Sequence, residues 1–468
     1  VDREIQRVAI HVDRTAAAAT RIPRTHVWSW ALWDWGTSAF STLIVTFVFA
    51  RYIVSDYFVP ADVMAAYTAA GGDGVATGTA LAAYESAKAD LTSNIGWALA
   101  IGGIIVAIAA PVIGARTDAG GKRKKWLGVN TGLVIVMTAA MFFVEGKPEF
   151  FLLGAALIAG STVFYEIANV NYNAMLLQVS TPRNMGRVSG FGWGMGYLGG
   201  IVVLLIALVG FIFGDGPYWF GITADNGMNI RVIAVFAAVW SLLFSLPIML
   251  AVPENTATAG ARVGILESYR RLFAAIGGYF RNDRPTFYFL LASAVFRDGL
   301  AAVFAFGGIL AGTVFGLDDT EVILFAIGGN LIAGIGVFLG GWFDDKFGSK
   351  PVIVASLLGL VVTGTALFML HDGGPSVFWV GGLLLTFFVG PAQASARTFV
   401  GHLAPVGKEG ELFGLYATTG RSISFLAPTL FAVMIGIGGA THFGILGIVI
   451  VLTAGAALMI PLRAPRTR

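Results

Sequence analysis

The chain has 468 residues, of which 56% are hydrophobic and 12% are charged. Soluble proteins carry roughly twice that charged fraction, so an assembly of soluble domains is excluded. The formal net charge of +3 gives no indication of nucleic-acid binding, and the absence of cysteine excludes disulfides and thiolate metal sites. This composition predicts an all-α, polytopic membrane protein.

Long apolar runs divide the chain into twelve predicted transmembrane helices. Runs such as Trp97–Ile113 are continuously apolar, whereas the strands of a membrane β-barrel alternate apolar and polar residues, so a barrel is excluded. The predicted helices span residues 27–53, 94–114, 126–144, 149–178, 189–213, 231–252, 286–315, 320–341, 351–370, 376–400, 412–437 and 443–462.

Lysine and arginine residues mark one side of the membrane. The segments that follow even-numbered helices, together with both termini, hold about 23 of these residues, against about four on the other side. Because cytoplasmic loops are the basic ones, we expect both termini to be cytoplasmic. Residues 1–26 then form a cytoplasmic N-terminal segment, without the apolar core of a signal peptide, and residues 463–468 form a cytoplasmic tail.

A short basic loop occurs twice, once at Gly114–Trp126 and once at Gly341–Lys350. Both copies read Gly, three residues, Asp, two residues, Gly, and then cationic residues. The copies lie about 227 residues apart, close to half the chain, which indicates two related halves of six helices each. We place the halves at 27–252 and 285–462, joined by a cytoplasmic linker at 253–284.

Two connections are long. The loop after helix 1, at about 54–93, is rich in alanine and glycine and is predicted to be external. The linker has apolar residues at helical spacing with arginines nearby, which predicts an amphipathic helix. This helix either lies on the inner membrane surface or packs against the bundle. Its apolar positions are Ile265, Leu266, Tyr269, Leu272, Phe273, Ile276 and Phe280.

Ionisable residues inside the membrane are costly and therefore indicate functional sites. Glu166 shares one helix face with Asn169 and Asn173, at i, i+3 and i+7, and such a face should look into water or onto a partner helix. Helical rise places Glu166, Arg297 and Asp298 near the membrane midplane. A buried arginine needs a carboxylate, and Glu166 is one candidate partner for Arg297.

We expect a polar cavity between the halves. Asp34, beside Trp35, either contacts substrate there or bonds a neighbouring helix end. Buried carboxyl groups can exchange protons at physiological pH, so Glu166 and Asp298 are the candidates for proton coupling. The predicted cavity residues are Asp34, Trp35, Glu166, Asn169, Asn173, Arg297, Asp298, Gln393 and Arg421.

Enzyme chemistry has little support in the sequence. The five histidines are scattered, no pair has the spacing of a zinc-protease motif, and no glycine-rich loop has the form of a P-loop. We therefore expect no enzymatic activity, no cofactor and no metal site.

The basic loop resembles the signature of the major facilitator superfamily, Gly-x-x-x-Asp-x-x-Gly followed by two cationic residues. Gly114, Asp118, Gly121, Lys122 and Arg123 match it. Nearly the whole chain is similar to the branch that holds the fungal vacuolar amino-acid effluxers and a bacterial family of unknown major facilitators. Arg297 departs from that branch, in which an uncharged residue is expected before Asp-Gly. The stretches that carry the likeness are Trp33–Phe40, Gly186–Gly200, Arg297–Gly299, Gly390–Gln393 and Phe413–Tyr416.

If the halves face each other, the basic loop is a candidate cytoplasmic gate. Asp118 follows the end of helix 2, close to where helix 11 begins, so its carboxylate is expected to cap helix 11 near Glu411 and hold the inner side shut. Asp345 is expected to do the same, more weakly, at the start of helix 5. The alternative, compatible with the first, is that Lys122–Lys125 only fix orientation. The predicted gate residues are Gly114, Asp118, Gly121, Arg123, Asp345, Arg187 and Arg397.

The resemblance implies the major facilitator fold and secondary transport of a small solute, such as an amino acid or a related metabolite. We expect alternating access across the inner (plasma) membrane, and leave direction and proton coupling open. The expected partners are the small-molecule substrate, the bilayer and protons as a candidate coupling ion, with no nucleic acid and a monomeric chain. The alternatives are a non-transporting receptor or scaffold on the same fold, and a membrane-embedded enzyme.

Overall fold

The computed structural model describes residues 22–72, 75–120, 122–214, 217–254, 265–317 and 319–462. Within these ranges the chain is all-helical. Several predicted features lie wholly or partly outside the described residues, namely the N-terminal segment, the C-terminal tail, Gly121 and the linker at 255–264.

A helical segment stands at each of the twelve predicted positions, and we number these segments α1–α12. Helix α1 is Arg24–Ala39, which continues as a π-helix at Phe40–Phe47 and ends in a turn at Phe49–Tyr52. Two further helices of more than one turn are not among these twelve segments, namely Ala61–Ala69, in the predicted external loop, and the linker helix Ile265–Asn282. The others are α2 Gly78–Gly120, α3 Arg123–Ala140, α4 Phe151–Ala174, α5 Met185–Phe211, α6 Met228–Ala251, α7 Arg284–Thr313, α8 Asp319–Phe347, α9 Ser349–Met369, α10 Gly374–Leu403, α11 Glu409–Ile423 with Leu426–Gly438, and α12 Phe443–Met459.

Ten of these helices, α2 to α11, are long and apolar enough to cross a membrane. In the described part of the chain, α1 and α12 fall short because their α-helical runs have 16 and 17 residues. The prediction of a multi-pass helical membrane protein is confirmed. The count of twelve crossings stays a prediction.

Helix α2 is much longer than predicted, since it begins at Gly78 rather than at residue 94. Its 43 residues extend about 64 Å, roughly twice the thickness of the hydrocarbon core. The added turns are alanine-rich, which favours helix, and the Tyr84 hydroxyl and Lys88 ammonium donate hydrogen bonds of 2.7 and 2.9 Å to Asp56. Partial burial alone would raise the pKa of Asp56, but these two hydrogen bonds bring it below its ordinary value. The predicted external loop is therefore largely helical.

The predicted basic loops are also mostly helix. Helix α2 runs to Gly120 and α3 begins at Arg123, so the first connection is two residues long. Helix α8 runs to Phe347 and α9 begins at Ser349, which leaves Gly348 alone between them at a φ of +89°. A residue with a side chain rarely adopts that conformation, so the turn requires glycine.

The most extensive contacts between the two halves are those of α2 along α11 and of α5 along α8. Glycines permit the close approach. A Cβ on Gly414 would lie 2.6 Å from the Cα of Pro111 in α2, and a Cβ on Gly190 would lie 2.7 Å from the carbonyl oxygen of Val337 in α8. Both contacts lie toward the end of the bundle that carries the two short basic connections, which we call the basic end.

The linker helix packs against the bundle through Ile276 and Tyr279, which contact a hydrophobic core built from residues of both halves. Burial and the nearby carboxylate of Glu411 raise the pKa of Tyr279 to about 12. Phe280 is half exposed. The side chains at 265–269, 271–273 and 275 lie outside the described residues, so for the described part of this helix the structure supports the bundle-packed placement.

Candidate functional site

The contact between α2 and α11 at the basic end is a buried charge cluster. Arg123 donates to the Asp118 carboxylate from Nε at 2.8 Å and from Nη2 at 2.5 Å, and Nη2 also donates to Glu409 at 2.5 Å. The backbone N–H of Glu411, in the first turn of α11, donates to the other Asp118 oxygen at 2.8 Å. Asp118, Arg123 and Glu409 are all buried. The predicted contact of Asp118 with the start of α11 is present, and Arg123 ties it to a second carboxylate.

The backbones of α2 and α11 meet beside this cluster. A Cβ on Gly114 would overlap the carbonyl oxygen of Gly410, and a Cβ on Gly410 would lie 2.8 Å from the carbonyl oxygen of Gly114. Thr418, further along α11, donates to the carbonyl of Ala107 at 2.9 Å. The two helices are therefore in direct backbone contact at the basic end.

The second contact, between α8 and α5, repeats the arrangement with a more exposed cation. Asp345 accepts from the backbone N–H of Gly186 at 2.8 Å, and Arg187 donates to it from Nε at 2.5 Å. The Arg187 side chain is 61% exposed, against 3% for Arg123. Asp345 itself is buried, but solvent screens the exposed cation, so we expect Arg187 to contribute less to its contact than Arg123 does.

A cleft lies between the halves on the other side of these contacts. It has two lobes, of about 440 and 390 Å³. Arg51 and Phe213 line the smaller lobe at the end opposite the basic end, and Phe213 is 62% exposed there. The residues that line both lobes are Ser41, Thr42, Phe47, Trp193, Tyr197, Ala326 and Asn330.

The π-helical part of α1 forms one wall of this cleft. Ser41 and Thr46 donate hydrogen bonds to backbone carbonyls of the same helix, at 3.1 and 2.8 Å. Side-chain bonds of this kind occupy carbonyl groups that the widened helix leaves poorly paired. On the opposite wall, Tyr197 of α5 donates to the Gln393 side chain of α10 at 3.1 Å, and this hydrogen bond connects the two halves.

Asp34 lines the smaller lobe. Among the described residues its carboxylate accepts one side-chain hydrogen bond, from the Tyr172 hydroxyl at 3.4 Å. A Cβ on Gly196 would lie 3.1 Å from the Asp34 carboxylate, so glycine there keeps α5 from covering it. Trp35, the predicted neighbour in the cavity, turns away and stacks on Trp240 of α6.

Arg397 lies behind this wall in an aromatic box. Its guanidinium is 5.0 Å from the ring centre of Trp30, 5.8 Å from that of Tyr172 and 5.5 Å from that of Trp193. It donates to Ser189 of α5, from Nε to Oγ at 3.0 Å and from Nη2 to the carbonyl at 2.5 Å, and to Asn173 of α4 at 3.2 Å. Arg397 thus joins α10 of the second half to two helices of the first.

Glu166 pairs with Arg421 and not with Arg297. The pair crosses from α4 to α11 and lines a separate cavity of about 190 Å³, together with Phe40 and Tyr165. The suggested partnership of Glu166 with Arg297 is wrong. Arg297 instead donates to the carbonyl of Tyr416 at 2.9 Å and lies 3.9 Å above its ring, because α7 faces the first part of α11 within the same half.

Asp298 sits where α11 is interrupted. Its carboxylate accepts from the backbone N–H of Ala427 at 2.6 Å, in the first turn of the second part of α11. A carboxylate there satisfies amide groups that the break between Ile423 and Leu426 leaves without helical partners. Asp298 is not among the residues that line the cleft lobes, although it was predicted to be a cavity residue.

Replacing Asp298 tests this capping role. Asp298→Ala removes the acceptor and should lower the free energy of unfolding by about 1–2 kcal/mol, whereas Asp298→Asn keeps an oxygen in place and should lower it by roughly half as much. Thermal unfolding of the purified variants in detergent measures the difference. An asparagine variant as unstable as the alanine variant would show that the charge matters more than the hydrogen bond.

Of the other predicted cavity residues, Gln393 lines the larger lobe, and Asn173 binds Arg397. Asn169 is within hydrogen-bonding reach of Tyr165 on its own helix. The sequence reasoning missed Trp193, Tyr197 and Asn330 as cleft residues. Asn330 could have been found, because it is an amide within the apolar run of helix 8.

The chain has relatives among known proteins. The family described as vacuole effluxer Atg22 like matches residues 23–468. The MFS-type transporter YxiO of Bacillus subtilis (strain 168) is 24% identical over 432 residues, which cover 92% of this chain and 93% of that protein. Autophagy-related protein 22-1 of Aspergillus fumigatus is 24% identical over 282 residues, 55% of this chain and 44% of its own length. The chain therefore matches less than half of that fungal relative.

A solved structure shows the same fold. The proton:xylose symporter XylE, a member of the major facilitator superfamily, superposes with a TM-score of 0.70 over 93% of this chain and 95% of its own, at 12% identity. The likeness in fold confirms the major facilitator architecture.

Proposed function

The chain belongs to the Atg22-like family of vacuole effluxers within the major facilitator transporters, and from that premise we propose secondary active transport of a small solute by alternating access. The Bacillus subtilis relative is named as an MFS-type transporter, and the similar solved structure is that of a proton:xylose symporter. One observation carries the proposal: the halves touch at the basic end through two related motif contacts, while a cleft reaches the opposite end. A closed side opposite a cleft is one of the two states that alternating access requires.

In this proposal the basic end is cytoplasmic, the halves are residues 27–252 and 285–462, and the membrane is the plasma membrane. The solute is taken to be an amino acid or a related metabolite, which the resemblance to the vacuolar amino-acid effluxers implies and with which the effluxer family is consistent. Opening the basic end would require separating α2 from α11 and α5 from α8. The buried cluster around Asp118 would then act as the main gate and Asp345 with Arg187 as the weaker one.

We include proton coupling in the proposal, with Glu166 as the better-supported carrier. Protonation of Glu166 would release Arg421 and weaken a contact between the halves. Protonation of Asp298 would weaken a contact within the second half only. A coupling residue has to change the balance between the two states of alternating access. The contact of Glu166 joins the two halves and that of Asp298 does not, which supports Glu166. Glu166→Gln should abolish proton-driven flux, and unchanged coupling in that variant would assign the proton elsewhere.

Cysteine accessibility tests the alternating access itself. The chain has no cysteine, so single substitutions can be labelled without background. Thr46 is exposed in the cleft, and Ala110 is fully buried beside Gly414 at the α2–α11 contact. In vesicles, Thr46→Cys should react with a membrane-impermeant thiol reagent added on the cleft side, and Ala110→Cys should react from the basic end.

An added substrate should shift labelling of the two sites in opposite directions. A receptor or scaffold would label Thr46→Cys alone under all conditions, which would contradict the proposal. The side from which each cysteine is labelled also reports whether the basic end is cytoplasmic.

A further inference from the structure

The charge of the cleft is unevenly distributed along its depth. Among the described residues that line the two lobes, Asp34 and Arg51 are the charged ones, and both belong to the smaller lobe. They lie 17 residues apart on one helical path, so roughly 25 Å separates them along the axis. Arg51 is exposed at the end opposite the basic end. A small ligand deep in the cleft therefore faces a carboxylate and no lining cation.

Asp34 keeps capacity to bind a ligand. Its contact with the Tyr172 hydroxyl is long, at 3.4 Å, and a carboxylate accepts several hydrogen bonds. The nearest buried cation, Arg397, attracts Asp34 but directs its hydrogen bonds to Ser189 and Asn173. The other membrane carboxylates differ, because Glu166 holds Arg421 and Asp298 caps α11.

The rest of the cleft suits an apolar body. Trp193, Tyr197 and Phe47 line both lobes, and the larger lobe continues over phenylalanines of α7, α8 and α10. The polar side chains that line the larger lobe are neutral. The indole N–H of Trp193 has no hydrogen-bond partner among the described residues but is itself buried, so Trp193 offers the cleft its ring and not a hydrogen bond.

We propose that the cleft selects amphipathic amines, with the ammonium group at Asp34 and an aromatic or branched apolar body against Trp193 and Tyr197. This inference rests on the proposed transport function and replaces the amino acid of that proposal with a related amine. A free carboxylate on the same molecule meets no lining cation at that depth, because the Arg397 guanidinium is enclosed by aromatic rings, so amines without a carboxylate bind better than amino acids do. Aromatic faces near the carboxylate add attraction for the cation.

Four probes share a phenyl group and differ in whether they carry an ammonium group, a carboxylate, both or neither: phenethylamine, phenylalanine, 3-phenylpropionate and 2-phenylethanol. Binding is measured by calorimetry and thermal unfolding on the full chain in nanodiscs, with empty nanodiscs as the blank. Phenethylamine should bind at least tenfold more tightly than phenylalanine and raise the unfolding temperature the most. Phenylpropionate should bind most weakly.

Matched variants test which residues produce the preference for amines. Asp34→Asn should reduce phenethylamine binding to the level of phenylethanol, and Asp34→Glu should restore part of it. Trp193→Ala should weaken the four probes by similar factors. Asp56→Asn, which removes a carboxylate outside the cleft, should keep the wild-type order.

Tighter binding of phenylalanine than of phenethylamine, an intact amine preference in Asp34→Asn, or no binding of any probe would overturn the inference. Those outcomes leave the labelling of Thr46→Cys and Ala110→Cys unaffected, so a failure of the substrate class is distinguishable from a failure of transport.

Discussion

Gly114→Ala should prevent the basic end from closing. The added Cβ would overlap the carbonyl oxygen of Gly410. Because that oxygen belongs to the backbone of α11, no side-chain rotation can relieve the overlap. Relieving the overlap requires α2 and α11 to separate. Overpacking of this kind costs about 1–3 kcal/mol, which shifts an equilibrium between two states by roughly 5- to 150-fold. The variant should therefore favour states that are open at the basic end.

The measurement is the labelling rate of Ala110→Cys and Thr46→Cys in the Gly114→Ala background. The first rate should rise and the second should fall. Gly103→Ala is the matched control, because it lies on the same helix and nothing lies within 4 Å of its added Cβ. If both variants label like the parent, the contact at Gly114 does not limit opening.

Arg123→Ala should have the second large effect. The substitution leaves Asp118 and Glu409 buried near each other without the cation that binds both. Removing one partner of a buried ion pair costs about 3–5 kcal/mol, since the remaining charge stays desolvated. Separation of α2 from α11 would let water reach the two carboxylates. We expect faster labelling of Ala110→Cys and a lower unfolding temperature.

Arg187→Ala is the control, because it removes the corresponding cation from the contact between α5 and α8. The Arg187 side chain is 61% exposed, and the buried Asp345 carboxylate keeps its hydrogen bonds from the backbone N–H groups of Gly186 and Arg187, so the change should cost about 0–1 kcal/mol and alter labelling little. Arg123→Lys keeps a charge but loses the forked geometry, so it should fall between the alanine variant and the parent. Equal effects of Arg123→Ala and Arg187→Ala would show that burial of the cluster does not set the strength of the gate.

The sequence identified most of the charged residues that matter here, but it assigned partners to few of them. Glu166, Arg297 and Arg421 were all recognised as functional candidates within apolar runs. Their pairing depends on which helix faces which, and α4 turns out to face α11 rather than α7 at that depth. Asp298 was recognised for the same reason, but its role as a cap follows from the interruption of α11, which hydropathy does not reveal.

Hydropathy and charge along the chain determined the membrane class, the helix positions and the two basic motifs, because the cost of burying a charge in a bilayer acts on each segment separately. The match of Asp118 with the start of α11 was also predicted, because a repeated motif constrains both copies. Only the tertiary structure decided the lining of the cleft. Trp193, Tyr197 and Asn330 come together there from helices of both halves. Trp35 lies outside it because it follows Asp34 by one residue, about 100° around α1, and its ring stacks on Trp240 of α6. Such choices depend on how faces of different helices meet, and no single segment contains that information.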